Sequence, residues 1–175
     1  PEQPSQPEED SNKDDKKDSD NKKDDTEKLL EIFSEYYGEH FLDKTKLYDG
    51  MKNCLDILKE NGVILAVATN KPQNFAREIV EKLLSEYSFI KVLGGCSERP
   101  KKPDISIINE IISETPKNNE VFMIGDSNVD IQTAKNANIH SIGCVWGFRG
   151  REELENAGAD FIAETPTDIA DFILK

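Results

Sequence analysis

Two aspartates, Asp126 and Asp130, closely follow the apolar residues 121–124 in the sequence. Carboxylates that face one cavity repel each other unless a cation lies beside them, and hard oxygen ligands on a partly hydrated site suit Mg²⁺. The chemistry that this pair could perform is therefore the binding of a magnesium ion. A structural explanation competes with it, because acidic residues in the first turn of a helix are favoured by the helix dipole.

Three other residues could hold a phosphate group: Thr69, Asn70 and Lys102. A hydroxyl and backbone N–H groups can bind phosphate oxygens, and a lysine neutralises phosphate charge. Each residue also has an ordinary explanation, since Thr69 and Asn70 could cap the next helix and Lys102 could be a solvated surface lysine. All of them follow predicted strands, as do the two aspartates. Together they favour a site for a phosphate and its magnesium.

The elements that must position these residues are apolar runs that alternate with helical patterns. We predict strands over residues 63–68, 89–93, 121–124, 141–145 and 160–163, with helices between them. Such alternation predicts an α/β fold with a parallel, doubly wound sheet. Ligands of such sheets bind beyond the carboxyl ends of the strands, which is where the candidate residues lie.

The N-terminal part of the chain has a different character. Residues 1–28 contain no hydrophobic side chain, so we expect a disordered, acidic, low-complexity tail. From Leu29 to Phe41 apolar residues recur at helical spacing, and a second amphipathic helix begins at Met51 and stops at Asn61-Gly62. Near the C-terminus, Thr165 followed by proline and an acid predicts the start of a last helix.

The composition limits the partners and the compartment. The 175 residues carry a net charge of −13, which argues against a nucleic-acid partner because phosphate backbones would be repelled. Cys54, Cys96 and Cys144 lack metal-ligand spacing and are interpreted as free, buried thiols in a reducing compartment. No apolar run of about 18 residues predicts a membrane helix, and no N-terminal apolar segment predicts a signal peptide. We therefore expect a cytoplasmic location and no membrane partner.

Three segments resemble a known family. Residues 69–72, 102–104 and 125–130 are similar to the second, third and fourth motifs of haloacid dehalogenase-like hydrolases. Residues 146–154 and 157–160 resemble the phosphoglycolate phosphatase branch of that family. The resemblance extends over most of the chain from residue 30 onwards.

The resemblance implies a Rossmann-like core over residues 47–175, with residues 29–46 as the remnant of a helical cap. It also implies a Mg²⁺-dependent phosphatase that acts on a small phosphorylated metabolite through an aspartyl-phosphate. Thr69 would bind the transferring phosphoryl group, with Asn70 beside it, and Lys102 would hold the phosphate and the nucleophile together. Asp126 would ligate Mg²⁺, and Asp130 would support the metal directly or through water.

The first motif of the family is missing from the sequence. That motif is an apolar strand ending in Asp-x-Asp-Gly-Thr, which carries the nucleophile and the acid/base. Residues 18–20 have the Asp-x-Asp spacing, but no apolar strand precedes them and no Gly-Thr follows. Because the missing strand is central in the family's sheet, its loss should leave a gap of about one strand spacing, or force the two neighbouring strands to pair.

Two functions remain open on this evidence. The first is a phosphatase that shows little or no turnover as this chain alone and regains activity when a nucleophile segment is present. The second is a non-catalytic remnant of such a hydrolase that binds phosphate or a partner protein. A phosphomutase or other transferase of the same superfamily needs the same nucleophile and is disfavoured by the branch-like segment 146–154.

Overall fold

The computed structural model describes residues 14–117 and 119–175. The chain divides into two units, Pro1–Lys44 and Thr45–Lys175, which are described separately. The helices are α1 (Asp14–His40), α2 (Met51–Glu60), α3 (Gln73–Leu83), α4 (Ser106–Ile112), α5 (Asn128–Ala137), α6 (Gly150–Ala157) and α7 (Pro166–Ile173). The strands are β1 (Leu65–Pro72), β2 (Phe89–Gly95), β3 (Phe122–Gly125), β4 (His140–Cys144) and β5 (Phe161–Ala163).

The first unit contains α1, which includes the predicted amphipathic segment that begins at Leu29. The structure differs from the predicted tail over residues 14–28, because these residues also belong to α1. Extending an existing helix adds one hydrogen bond for each residue fixed, so a helix that has formed over the apolar segment can continue into a polar one. Residues 1–13 of the predicted tail lie outside the described residues.

The second unit carries the predicted α/β fold with parallel strands. Strand β1 pairs in parallel with β2, and β3, β4 and β5 pair in parallel in that order. Within the described residues, β1 and β3 belong to different sheets. Of the two outcomes expected from the missing first motif, the structure therefore has the interrupted sheet and not a direct pairing of the two neighbours.

Two apolar cores cover the strands. One core joins α2 and α7 to β4 and β5; it contains Cys54, Leu58, Ile142, Cys144, Ala163, Ile169 and Ala170. The other joins α4 and α5 to β2 and β3; it contains Leu93, Ile107, Ile108, Ile111, Met123 and Ala134. Successive residues of a strand point to opposite faces, so Phe122, which packs on the first core, and Met123, in the second, show that β3 has helices on both sides.

The predicted helices and strands are found, with shifted ends. The largest shift is in β1, which begins at Leu65 and continues to Pro72, so that Thr69 and Asn70 belong to the strand and not to a loop after it. A register irregularity between Ala68 and Pro72 lets the strand continue to its pairing with Gly95. The predicted last helix is α7, and the backbone N–H of Thr165 donates to the Asp168 carboxylate at 2.8 Å.

Two of the three cysteines, Cys54 and Cys144, are buried as predicted, and Cys96 is partly exposed. All three are free thiols. Across the described residues, the structure contains no helix that is both long and apolar enough to cross a membrane.

Candidate active site

The centre of the candidate site is an ion pair between Lys102 and Asp130. Lys102 Nζ lies 2.6 Å from Asp130 Oδ1, and each side chain is only 9% exposed. The same ammonium group donates to the backbone oxygen of Ala68 at 2.9 Å. Lys102 therefore links β1 to the helix that follows β3, and it places a positive charge at the carboxyl ends of both strands.

Asn70 fixes the segment that carries this lysine. Its side-chain Nδ2 donates to the Lys102 backbone oxygen at 3.1 Å, and its Oδ1 accepts from the Lys102 backbone N–H at 2.8 Å. Both polar groups of the amide are thereby used on the backbone of one residue. Asn70 therefore fixes the backbone of Lys102, and its place beside the phosphate stays a prediction.

Asp130 has protein donors on both carboxylate oxygens. Besides the lysine on Oδ1, the hydroxyl of Ser127 donates to Oδ2 at 2.8 Å. The residue lies in the first turn of α5, as predicted, and it is buried. Because both oxygens are engaged, this geometry suits support of a metal through water better than direct ligation.

Asp126 is placed differently, between the end of β3 and the start of α5. Its Oδ2 accepts from the backbone N–H of Phe148 at 2.9 Å, and its other oxygen has no partner among the residues that the structure describes. The neighbouring Gly147 has no room for a side chain, since an added Cβ would overlap the Asp126 carboxylate. The backbone of 147–148 therefore packs closely against this acid and fixes its direction.

The two acids act electrostatically on a buried thiol of β4. Burial raises the pKa of Cys144 to about 12, and the negative charges of Asp126 and Asp130 contribute in the same direction. Cys144 is the last residue of β4, and it belongs to the buried core that α2, α7, β4 and β5 form. A thiol with this pKa is protonated at neutral pH, so Cys144 forms part of the packing behind the site and is not a nucleophile there.

Thr69 lies at the same end of β1, where its hydroxyl oxygen accepts from the backbone N–H of Lys71 at 3.1 Å. That bond uses one lone pair and leaves the hydroxyl proton available for an anion. The structure thus brings Thr69, Asn70, Lys102, Asp126 and Asp130 to one end of the strands. Direct contacts join Asn70 to Lys102 and Lys102 to Asp130.

The residues fit part of a magnesium site. Mg²⁺ is usually held by one or two carboxylates together with water and phosphate oxygens, and Asp126 offers one such oxygen with Asp130 behind it. Among the residues whose side chains the structure describes, no group of three or more acidic, histidine or cysteine side chains could hold a metal.

The sequence did not single out Ser127 and Phe148 as contacts of the aspartates. Serine at the position before a helix predicts a cap, and this residue instead donates to Asp130. The contact of Phe148 is made by its backbone N–H, which every residue type except proline carries, so its side chain gives no signal in the sequence. Gly147, which precedes Phe148, is a signal that the sequence does contain. A glycine allows another group to approach the backbone closely, because it has no side chain.

The family model and the relatives that match this chain indicate the same family. Residues 7–144 match the family model described as haloacid dehalogenase-like hydrolase. The phosphoglycolate phosphatase of Vibrio parahaemolyticus is 32% identical over 144 residues, which cover 82% of this chain and 63% of that protein. The Vibrio cholerae phosphoglycolate phosphatase is 33% identical, and the match covers 82% of this chain and 64% of the relative. The chain thus spans just under two thirds of the length of these relatives.

A solved structure agrees with the fold. A proposed phosphoglycolate phosphatase from Lactobacillus delbrueckii subsp. bulgaricus has a TM-score of 0.77 and 34% identity to this chain. The match covers 85% of this chain and 62% of that one.

Proposed function

The chain belongs to the haloacid dehalogenase-like hydrolase family, and we propose that it forms the phosphate- and magnesium-binding part of a phosphatase that hydrolyses a small phosphorylated metabolite. The observation that carries the proposal is the Lys102–Asp130 pair at the strand ends. It provides a cation for phosphate beside the acids for magnesium. The resemblance to phosphoglycolate phosphatases supports a substrate of that size and charge.

In this proposal each residue has a defined task. The Thr69 hydroxyl and the third N–H of the Lys102 ammonium group bind phosphoryl oxygens. Asn70 holds the backbone of Lys102 in place. Asp126 would hold Mg²⁺ through the oxygen that Phe148 does not contact, and Asp130 orients the lysine. The metal, when bound, supplies charge screening for the phosphoryl group.

We further propose that the chain by itself shows little or no turnover. The nucleophile and the acid/base of the family belong to its first motif, which this sequence lacks. The test is hydrolysis of p-nitrophenyl phosphate with Mg²⁺ by the purified chain. Robust turnover that Asp126→Asn abolishes would contradict our account of the nucleophile, whereas activity that returns in a longer product with the first motif would support it.

A non-catalytic binding function is the second candidate. It is favoured by the small number of acidic ligands among the described residues and by the interrupted sheet. Calorimetry with Mg²⁺ and inorganic phosphate distinguishes this candidate from an inert fragment. Absence of heat at millimolar ligand would exclude both the binding function and the proposed phosphate site.

Two expectations from the sequence stay predictions. The acidic charge still predicts that nucleic acids are not partners. A cytoplasmic location is likewise only a prediction, and localisation of a tagged full-length product would test it.

A further inference from the structure

The N-terminus of α5 is capped by a residue of another helix. Ser127 lies at the position before the helix, where a side-chain oxygen usually accepts an N–H of the first turn. Within the described residues the Ser127 side chain makes no such bond, and its hydroxyl donates to Asp130. The backbone N–H of Asn128 donates instead to Glu153 Oε1 of α6, at 2.9 Å. Glu153 therefore provides an acceptor at the place where Ser127 does not.

The capped residue lies within the turn that carries the candidate metal site. Asn128 follows Asp126 by two residues and precedes Asp130 by two. A hydrogen bond to its backbone N–H restricts the rotation of the chain between these two acids. The bond is also a strong one, because its acceptor is ionised and because a negative charge is favoured at a helix N-terminus. Glu153 is thus placed to hold the turn in one conformation.

The segment that contains Glu153 contacts this turn at two points. The backbone N–H of Phe148 donates to Asp126 Oδ2 at 2.9 Å, and Glu153 accepts from Asn128 five residues later along the segment. The first contact brings a donor to an acid, and the second brings an acid to a donor. Together they hold both the side chain of Asp126 and the backbone that follows it.

The packing of α6 on the sheet fixes the backbone of Glu153. The next residue, Leu154, is fully buried and lies against Gly143 of β4. A Cβ added to this glycine would lie 3.1 Å from the Leu154 Cβ, so the helix approaches the strand closely. The Glu153 side chain itself is only 30% exposed. The acceptor for Asn128 therefore comes from a well-packed element and not from a loop.

The contact with Asn128 distinguishes Glu153 from other acids of α6. Glu155 pairs with Arg151 at 2.7 Å on the surface, and within the described residues its side chain has no hydrogen bond to α5. Glu153 also has an ion pair, but Arg149 Nε lies 4.0 Å away and that arginine is 61% exposed. Exposed pairs of this kind contribute little. The bond to Asn128 is therefore the contact through which Glu153 acts.

We propose that Glu153 is a positioning residue of the magnesium site, and that its bond to the Asn128 N–H holds the turn that presents Asp126 to the metal. This inference rests on the proposed function, because it requires Asp126 to hold Mg²⁺. Thr69 and Lys102, the proposed phosphate ligands, lie outside this turn. Loss of the bond should therefore weaken the binding of Mg²⁺ and leave the binding of phosphate alone unchanged.

The test compares Glu153→Ala with Glu153→Gln, because glutamine keeps an acceptor oxygen on a side chain of the same length. Calorimetry with phosphate present should show a Mg²⁺ Kd that rises about tenfold for alanine and about threefold or less for glutamine. The phosphate Kd without Mg²⁺ should stay within about twofold of the original in both variants. Equal weakening of Mg²⁺ binding by both substitutions would show that the charge of Glu153 acts and not its hydrogen bond, and would overturn the proposal.

A measurement without metal and a matched control complete the test. Amide hydrogen exchange of Asn128, followed by NMR, should be at least about tenfold faster in Glu153→Ala than in the original chain. Glu155→Ala removes an acid of the same helix and should change neither this exchange nor the Mg²⁺ Kd. If Glu153→Ala is unfolded by circular dichroism, Glu153→Asp replaces it, because its shorter side chain keeps the charge and withdraws the acceptor. Exchange at Asn128 that matches the original chain would overturn the proposal.

Failure of this inference is distinguishable from failure of the proposed function. If the original chain binds neither Mg²⁺ nor phosphate, the proposed function is overturned together with the role of Glu153 at the metal. If the original chain and Glu153→Ala bind Mg²⁺ equally well, the proposed function stands and the positioning role is overturned. A lower urea midpoint with an unchanged Mg²⁺ Kd would show that Glu153 is merely structural, and this too would overturn the proposal.

Discussion

The ammonium of Lys102 lies 2.6 Å from Oδ1 of Asp130, although 28 residues separate them in the sequence. Both side chains are largely removed from water. The pair joins the segment after β2 to the helix after β3, and the contact with Ala68 extends the link to β1. It therefore connects the two sheets at the end where the candidate site lies.

Lys102→Met should destabilise the second unit by about 3 kcal/mol, because it leaves the buried Asp130 carboxylate without its partner. The double variant Lys102→Met/Asp130→Leu should recover part of this loss, since no unpaired charge then remains. The measurement is urea denaturation at pH 7. As a control, Arg151→Met breaks exposed ion pairs with Glu155 and Glu164 and should change stability by about 1 kcal/mol or less. A loss for Lys102→Met no larger than the control would contradict a structural role of the pair.

Asn70→Ala and Thr69→Val should have different effects, although the residues are neighbours. Asn70→Ala removes two hydrogen bonds to the Lys102 backbone and should cost about 1–3 kcal/mol of stability. Thr69→Val removes a hydroxyl that accepts one bond from Lys71, and it should mainly weaken phosphate binding. Denaturation and phosphate calorimetry measure the two effects. Equal stability losses in both variants would argue against this division of roles.

Lowering the pH should remove the stability that the hydrogen bonds between Ser141 and the Asp160 carboxylate contribute. Ser141 donates from its hydroxyl at 2.7 Å and its backbone N–H at 2.8 Å to the Asp160 carboxylate, and these hydrogen bonds hold the pKa of Asp160 below its ordinary value. A lowered folded-state pKa stabilises the protein at pH values above the unfolded-state pKa. The contribution disappears as the pH falls through the folded-state value.

The stability difference between the original chain and Ser141→Ala should therefore be constant from about pH 5 to 7 and shrink below about pH 4. Urea midpoints at a series of pH values measure it. Ser113→Ala is a matched control, because its hydroxyl donates to the backbone oxygen of Glu110, which does not titrate. A Ser141→Ala difference that stays constant down to pH 2.5 would rule out this linkage.

The reactivity of the cysteines should follow burial. With its pKa raised to about 12, Cys144 has roughly one thiolate in ten thousand molecules at pH 8, and burial also raises the pKa of Cys54. Iodoacetamide at pH 8 should therefore modify the partly exposed Cys96 in the native protein and all three thiols in denaturant. Peptide mass mapping reads out the sites. Labelling of Cys144 as fast as Cys96 would contradict its placement behind the site.

The end of the strands at which the candidate residues lie could be predicted from the sequence, because each of these residues comes after an apolar run. The apolar residues 122–124 form most of β3, so Asp126 and Asp130 had to lie where this strand gives way to a helix. The interruption between β1 and β3 was likewise one of two outcomes of a missing central strand.

The contacts of the site could not be predicted in the same way. The Lys102–Asp130 distance depends on a loop conformation, and Asn70 fixes that loop through backbone atoms that carry no sequence signal. The end of β1 was also missed, since Thr69 and Asn70 were placed after the strand. A register irregularity allows the pairing to continue past Ala68, and it leaves no mark in hydrophobic patterning.

Gly147→Ala tests the placement of Asp126 most directly. An added Cβ would overlap the Asp126 carboxylate, so this acid must move away from the Phe148 N–H and from its position for Mg²⁺. We expect the rise in melting temperature on addition of millimolar Mg²⁺ and phosphate to disappear in this variant. Gly150→Ala is the control, because nothing lies within 4 Å of its Cβ and its φ of +74° costs about 1 kcal/mol in strain alone. That control should lower the melting temperature and keep the ligand-induced rise. If Gly147→Ala also keeps the full ligand-induced rise in melting temperature, the position of Asp126 that its contact with Phe148 fixes is not needed to bind Mg²⁺ and phosphate.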